Sequence, residues 1–304
     1  MIASHGGRKS DMDVPKTAPA SAASRKVLVG LIGEGIQGSR SPAMHEEEAR
    51  NVGLSLHYQL IDLVRAGRSI DALPLLIEAA QVMGFAGLNI THPCKQAVLP
   101  LLDDLSDDAQ AIGAVNTVVF DGRRRVGHNT DWSGFAMPFR TRLGDAARER
   151  VVLFGAGGAG AAVAHAVLTL GARDLSIVDP DAAKASALAA NLGSRFKDAR
   201  VHVAGAVRDE VSKADGLINA TPIGMTGHPG SPLDPAWLRE RLWVAEIVYF
   251  PLETELLRAA RSRGCRTLDG GGMAVWQAVG AFKLFTGVEP DAVRMEQHFR
   301  HLVS

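Results

Sequence analysis

VVLFGAGGAG, residues 151–160, runs four apolar residues straight into a glycine loop, and AAVAHAVLTLG follows it. Gly155, Gly157 and Gly160 spell G-x-G-x-x-G, which by itself is a weak signal, because a glycine-rich turn in an α/β protein can bind nothing. Here the strand, the loop and the helix stand in the order a dinucleotide site needs. The first glycine permits a tight turn, the second lets backbone approach a pyrophosphate, and the third lets helix and strand pack closely. The helix start then faces the phosphates. Gly155, Ala156, Gly157, Gly158, Ala159 and Gly160 are therefore candidate cofactor contacts. The next apolar run, LSIVD, ends at Asp179. That carboxylate can accept from adenosine ribose hydroxyls and would repel a 2′-phosphate. VDPDAAK places Pro180 and Asp181 next and only Lys184 further on, so NAD is expected over NADP, with NADP possible. The plainer reading of Asp179 is a cap on its loop.

Working outward, short apolar strands alternate with helical stretches, which implies parallel α/β sheets in two domains. Ordered structure is expected to begin at VLVGLIG, ending at Gly33. A helix over 43–53, a strand over 56–63, a helix over 69–83 and a strand over 84–91 follow. QAVLPLLDDL reads as largely helical. AVNTVVFD and RVGHNTD read as two strands about a turn at Asp121–Gly122. After a helical linker over 131–149, the rhythm restarts at residue 151. LSIVD, VHVAG, GLINAT, WVAEIVY and CRTLDG are its later strands. The division expected is a leader over 1–26, a substrate domain over 27–130 completed by C-terminal helices over 275–304, and a Rossmann-like dinucleotide domain over 131–274.

The chain has 304 residues, 46% apolar and 22% charged, with 33 basic and 33 acidic side chains. That balance gives no field to gather nucleic acid or an anionic membrane. No apolar run approaches the ~18 residues a spanning helix needs. The N-terminal stretch lacks the apolar segment of a secretory signal and reads as a disordered leader. Two cysteines, Cys94 and Cys265, are too few for a disulfide framework. A cytoplasmic protein with a small-molecule partner, monomeric or homodimeric and without a metal, is the simplest expectation.

Four polar clusters fall at expected strand ends or loops, where α/β domains place ligands. They are Ser39-Arg40-Ser41-Pro42, Asn89-Ile90-Thr91, Ala114-Val115-Asn116-Thr117 and His128-Asn129-Thr130-Asp131. Each alone could be a turn former. Together their hydroxyls and amides suit a small polyhydroxylated ligand, since such groups both donate and accept. Lys95 follows Thr-His-Pro inside an otherwise apolar region. Lys95 and Asp131 are the candidates for acid–base work: oxidising an alcohol needs a group to take the hydroxyl proton as hydride leaves carbon. A carboxylate beside the lysine would orient it, and the sequence leaves open which form the lysine rests in. Alone, Lys95 reads as a solvated lysine at a helix start, a position that disfavours cations.

SRSPAMH, GLNITHPCKQAVLPLLD, IGAVNTVV, GHNTDWSGF, GAGGAG, NATPIGM, VYFPLETELL and GGMAVWQAVGAFKLFTG together resemble the shikimate dehydrogenase family, in particular its NAD-using quinate/shikimate dehydrogenase branch. The resemblance spans roughly residues 28–300. It implies a nicotinamide-dependent enzyme that interconverts shikimate and 3-dehydroshikimate, with quinate as a side substrate or the alternative substrate; an aminoshikimate-type compound is a further alternative. It implies a catalytic Lys95–Asp131 pair and substrate contacts from Ser39, Ser41, Asn89, Thr91, Asn116 and Gln277. Gln277 lies far along the chain, so the C-terminal end is expected to cross back to the first domain. Around the nicotinamide the resemblance implies Asn219, Thr221, Met225, Val248 and Gly270, with Gly271 and Gly272 beside it. DGGGM stands where many relatives carry larger residues, which leads one to expect extra room there. A sensor that binds without turnover, and a tetrahydrofolate dehydrogenase using the same glycine loop, fit these motifs less well.

Overall fold

Two six-stranded sheets organise the chain. The structure, a computed structural model, describes residue 1 and residues 25–303. The expected leader lies outside the described residues except for its ends. Of its last residues, Lys26 already opens a strand, and Arg25 Nη1 donates to the carbonyl of Thr286 at 2.8 Å.

The first sheet comprises β1 (Lys26–Gly33), β2 (Ser55–Asp62), β3 (Gly87–Ile90), β4 (Asp104–Leu105), β5 (Thr117–Asp121) and β6 (Arg124–His128). Their order is β2-β1-β3-β5-β6-β4. β1 pairs in parallel with both β2 and β3. It is buried over most of its length, as a strand covered on both faces must be. The sheet is mixed rather than wholly parallel: β5 runs antiparallel to β3 and to β6. The cause is local. Asp121 pairs with Arg124 across a two-residue turn, and Gly122 takes the left-handed backbone (φ 61) which that turn requires.

The helices here are α1 (Ser41–Asn51), α2 (Leu73–Val82), α3 (Cys94–Ala97) and α4 (Asp107–Ile112), the last capped by Ser106 Oγ accepting from Ala109 N. QAVLPLLDDL is less helical than its composition suggests. α3 stops at Ala97, a 3-10 turn spans Leu99–Leu101, and Asp104–Leu105 joins the sheet beside β6. Pro100 has no N–H to continue a helix.

α5 (Asp131–Leu143) leads into the second sheet, ending before Gly144 rather than running to 149. That sheet contains β7 (Arg150–Phe154), β8 (Asp174–Val178), β9 (Arg200–Val203), β10 (Gly216–Asn219), β11 (Trp243–Glu246) and β12 (Arg266–Leu268). All neighbours are parallel, in the order β12-β11-β10-β7-β8-β9. α6 (Gly158–Thr169), α7 (Ala182–Arg195), α8 (Val207–Lys213) and α9 (Glu255–Ser262) connect the strands. Strand order reverses between β7 and β10, which opens a crevice at their C-terminal ends. The glycine loop lies there.

α10 (Gly270–Thr286) and α11 (Ala292–Val303) return to the first sheet, as the position of Gln277 implied. Ala281 and Phe285 of α10 share a core with Val27, Val29 and Tyr58. α10 crosses α5 at close range: a Cβ on Gly134 would lie 2.9 Å from Gln277 N. α11 is tied to α1 by Arg294, which donates from Nε and Nη2 to buried Glu48 at 2.8 and 2.7 Å. The room expected at DGGGM lies on one side of it only. Added Cβ atoms at Gly270 and Gly272 would come within 2.4 Å of Val248 O and 2.9 Å of Pro138. The glycines let the helix start press against the neighbouring loop and α5, and the hollow beside Gly271 and Gly272 opens toward Arg142, Leu252, Glu296 and Phe299.

Candidate active site

Lys95 and Asp131 meet. Lys95 Nζ donates to Asp131 Oδ2 at 2.5 Å, and the side chains are only 17% and 7% exposed. Two backbone features bring them together. Val115 N donates to Lys95 O at 2.9 Å, tying α3 to the segment before β5. The β5–β6 hairpin then returns the chain to Asp131, the first residue of α5. Asn116 Nδ2 donates to Asp131 Oδ1 at 2.9 Å and also to Thr130 Oγ1, while Asn116 Oδ1 accepts from Thr130 N at 2.8 Å. One carboxylate oxygen is thereby held by an amide and the other by the lysine. Asp131 cannot turn away without breaking both.

The network continues. Asn89 Nδ2 donates to Asn116 O at 3.2 Å and Thr117 Oγ1 at 3.0 Å, and its Oδ1 accepts from the Tyr58 hydroxyl at 2.8 Å. The Ser41 side chain lies near the same Tyr58 hydroxyl and favours its ionised form. Burial pushes the Tyr58 phenol well up, so it stays an O–H donor. Ser39 Oγ accepts from Ser41 N at 3.3 Å. Tyr58, Asn89, Asn116, Asp131 and Lys95 thus share one connected hydrogen-bond path, with Ser41 beside its tyrosine end and Thr91 just past the end of β3. Both Asn89 donors are spent inside that path, so Asn89 offers a ligand its carbonyl oxygen. Gln277 Nε2 turns back to Ala274 O at 2.9 Å on its own helix.

Tyr58 was not foreseen, nor was Tyr249. The Tyr249 ring is 37% exposed, yet its phenol is pushed up by burial, with Arg40 opposing and Asp131 adding to the shift. Both tyrosines stand beside quoted motifs, in LHYQLIDL and VYFPLETELL, and these are the only tyrosines in the chain.

The glycine loop fits a dinucleotide. Gly155 has φ 102, and a Cβ on Gly160 would sit 2.0 Å from Gly155 O, so both must be glycine. A Cβ on Gly157 would meet open space, the cradle a pyrophosphate would fill. Asp179 Oδ2 accepts from Ala156 N at 2.7 Å, which holds the acid at the mouth of the loop. Gly158 abuts the other domain: its added Cβ would lie 3.2 Å from Lys95 Cβ. The crevice of the second sheet therefore faces the lysine of the first.

The loop after β10 is shaped from below. Asn219 is fully buried; its Nδ2 donates to Ile223 O and both Glu246 oxygens, and its Oδ1 accepts from Thr221 N and Oγ1. Asn219 thus holds Thr221 and Ile223 in place rather than presenting atoms to the crevice. Met225 is exposed and Val248 buried. Glu246, unassigned from sequence, also accepts from Val248 N and Thr254 Oγ1 at 3.1 Å. An acid inside the apolar run WVAEIVY was the available signal.

Burial pushes the Glu246 carboxyl up to about 7 despite those donors. The folded state binds this proton more tightly than the unfolded state does. Its contribution to stability is therefore full at low pH and is lost as pH rises from about 4.5 through about 7. Glu246→Gln is expected to flatten that slope, by roughly 1–3 kcal/mol across the window. Melting temperatures of both proteins across this range check it; a difference independent of pH would contradict it.

A glycine-loop crevice facing a buried lysine–carboxylate pair defines a two-domain, dinucleotide-binding α/β oxidoreductase. The chain belongs to the shikimate dehydrogenase family. Residues 31–118 match the shikimate dehydrogenase substrate binding domain and residues 270–298 the shikimate 5′-dehydrogenase C-terminal domain. A shikimate dehydrogenase (NADP(+)) of Streptomyces avermitilis is 59% identical over 272 residues, covering 88% of this chain and 93% of that protein. A quinate/shikimate dehydrogenase (NAD(+)) of Corynebacterium glutamicum is 49% identical over 279 residues, covering 91% and 99%. The solved quinate dehydrogenase from Corynebacterium glutamicum in complex with NAD superposes with a TM-score of 0.85 at 47% identity, covering 91% of this chain and all of that one.

Proposed function

We propose that the chain oxidises shikimate reversibly to 3-dehydroshikimate, with NAD as its preferred dinucleotide and quinate as a poorer substrate. The observation that carries this reading is the hydrogen-bonded path from Tyr58 to Lys95, with Ser41 beside its start and Gly158 abutting the lysine at its end. Hydroxyl-reading groups, a proton-transfer pair and a dinucleotide cradle converge on one cleft. The family's relatives act on ring acids with NAD or NADP, which supports the same reading.

When bound, the nicotinamide supplies a hydride acceptor for oxidation and a donor for the reverse reaction. The protein's part is the proton. As the reacting hydroxyl becomes a carbonyl, its proton passes to the Lys95 amine, which must first have released the proton of its resting ammonium, and the contact with Asp131 fixes the direction of approach. Asn116 holds Asp131 rigid, so the pair is set before the substrate arrives. Asn89, Asn116, Thr91 and Gln277 would read ring hydroxyls, while Ser39 and Ser41 would bind the carboxylate end. Gly155 through Gly160 would hold the pyrophosphate, Asp179 the ribose, and Thr221, Met225, Val248 and Gly270 the nicotinamide side, shaped by Asn219. Both cysteines are free and buried, which suits a cytoplasmic enzyme, monomeric or homodimeric.

Quinate carries a tertiary hydroxyl at the ring carbon where shikimate is flat. Ser41 lacks the methyl that a threonine would add to that wall, and its hydroxyl keeps more rotamer freedom. A methyl is worth only ~1–3 kcal/mol of discrimination, so quinate activity is expected to be weaker but present. Steady-state rates with both acids, each with NAD and NADP, test this. Ser41→Thr is expected to raise the quinate-to-shikimate ratio of kcat/KM. Wild-type turnover of quinate equal to that of shikimate would refute the preference, and an unmoved ratio in the variant would refute its cause.

A further inference from the structure

Arg40 stands between the two prospective carboxylate-binding serines, and its charge is unanswered. Its Nε is buried without a hydrogen-bond partner, and no acid pairs with it among the described residues. The guanidinium lies 5.8 Å from the centre of the Phe250 ring, on a loop of the other domain, so the half-buried side chain reaches toward that domain. The Arg40 and Asp131 charges act in opposite directions on the Tyr249 phenol. At the far end of this space Lys95 and Asp131 neutralise each other. Arg40 leaves the cleft with one net positive charge at the serine end. Arg40 is half-buried, and a partly desolvated cation without a counter-ion gains from a ligand that supplies one.

We propose that Arg40 is a specificity-determining residue that pairs with the substrate's carboxylate and so selects ring acids over neutral ring alcohols. This rests on the functional reading above. The serine hydroxyls alone would bind a carboxylate and an ester similarly, because both offer acceptor oxygens. A guanidinium distinguishes them, because charge-assisted hydrogen bonds are about twice as strong as neutral ones. The same side chain explains how the acid is oriented: the charged end goes to Arg40, which leaves the ring hydroxyls facing Asn116 and Lys95.

The test compares shikimate with its methyl ester, which keeps the ring and every hydroxyl but removes the charge. Wild type is expected to favour the acid in kcat/KM by roughly ten- to a hundred-fold. Arg40→Gln should cut that ratio by about tenfold or more, chiefly through KM for the acid. Arg40→Lys, which keeps the charge, should fall between the two. Because the readout is a ratio between two substrates, partial loss of folded protein does not change it. Equal losses on acid and ester, an unmoved ratio, or a lysine variant as indiscriminate as the glutamine one would each overturn the assignment. A wild type inactive on shikimate would instead overturn the functional reading on which it rests.

Discussion

Lys95→Ala is expected to lower kcat by about 10²–10⁴-fold while changing KM far less. The lysine is not a surface charge: it is 17% exposed and bonded to a carboxylate that is 7% exposed. Removing Nζ takes away the group the hydroxyl proton leaves toward, an interaction that matters most in the transition state. The ring-hydroxyl contacts and the serine end stay intact, so binding should survive. Asp131→Asn should also impair turnover. Its oxygen can still accept from one donor, but its amide would present protons to Lys95 or Asn116 where both now donate. Rates at saturating shikimate separate the two effects. A Lys95→Ala enzyme with near-normal kcat would show that the pair is structural.

The second large effect concerns the dinucleotide. Wild type is expected to favour NAD over NADP in kcat/KM by about tenfold or more, ~1.4 kcal/mol. Asp179 is fixed at the loop mouth by Ala156 N, and Asp181 follows it closely. Lys184, the nearby cation that could receive a 2′-phosphate, has its Nζ 3.7 Å from Asp181. Two carboxylates and an occupied lysine make that corner unfriendly to phosphate. Asp179→Ala combined with Pro180→Arg should narrow or reverse the preference, since it removes repulsion and adds a phosphate partner. A wild type that prefers NADP would mean that Lys184 or another cation outweighs the two acids.

Much of this site was legible because its residues lie in tight motifs with local causes. G-x-G-x-x-G between a strand and a helix predicts the crevice, and Gly155 and Gly160 are held by backbone contacts that no other residue allows. Lys95 and Asp131, 36 residues apart, could be paired from sequence only through a family pattern, because their meeting depends on the β5–β6 hairpin. What escaped was tertiary. Tyr58 reads as an ordinary strand residue until its hydroxyl is seen donating to Asn89. Glu246 looks like a stray acid until Asn219, Val248 and Thr254 surround it. The glycine run at 270–272 suggests space because composition shows missing side chains, not the Val248 carbonyl and Pro138 that crowd Gly270 and Gly272. Helical periodicity over-extended QAVLPLLDDL, because pairing of Asp104–Leu105 with β6 is a long-range event.

The most direct measurement is the absorbance at 340 nm when purified wild-type protein is given NAD with shikimate as the alcohol. A steady rise, abolished or reduced by at least about 10²-fold in Lys95→Ala, is the predicted result. No reduction of NAD or NADP by either shikimate or quinate, in a protein shown to bind the dinucleotide, would contradict it.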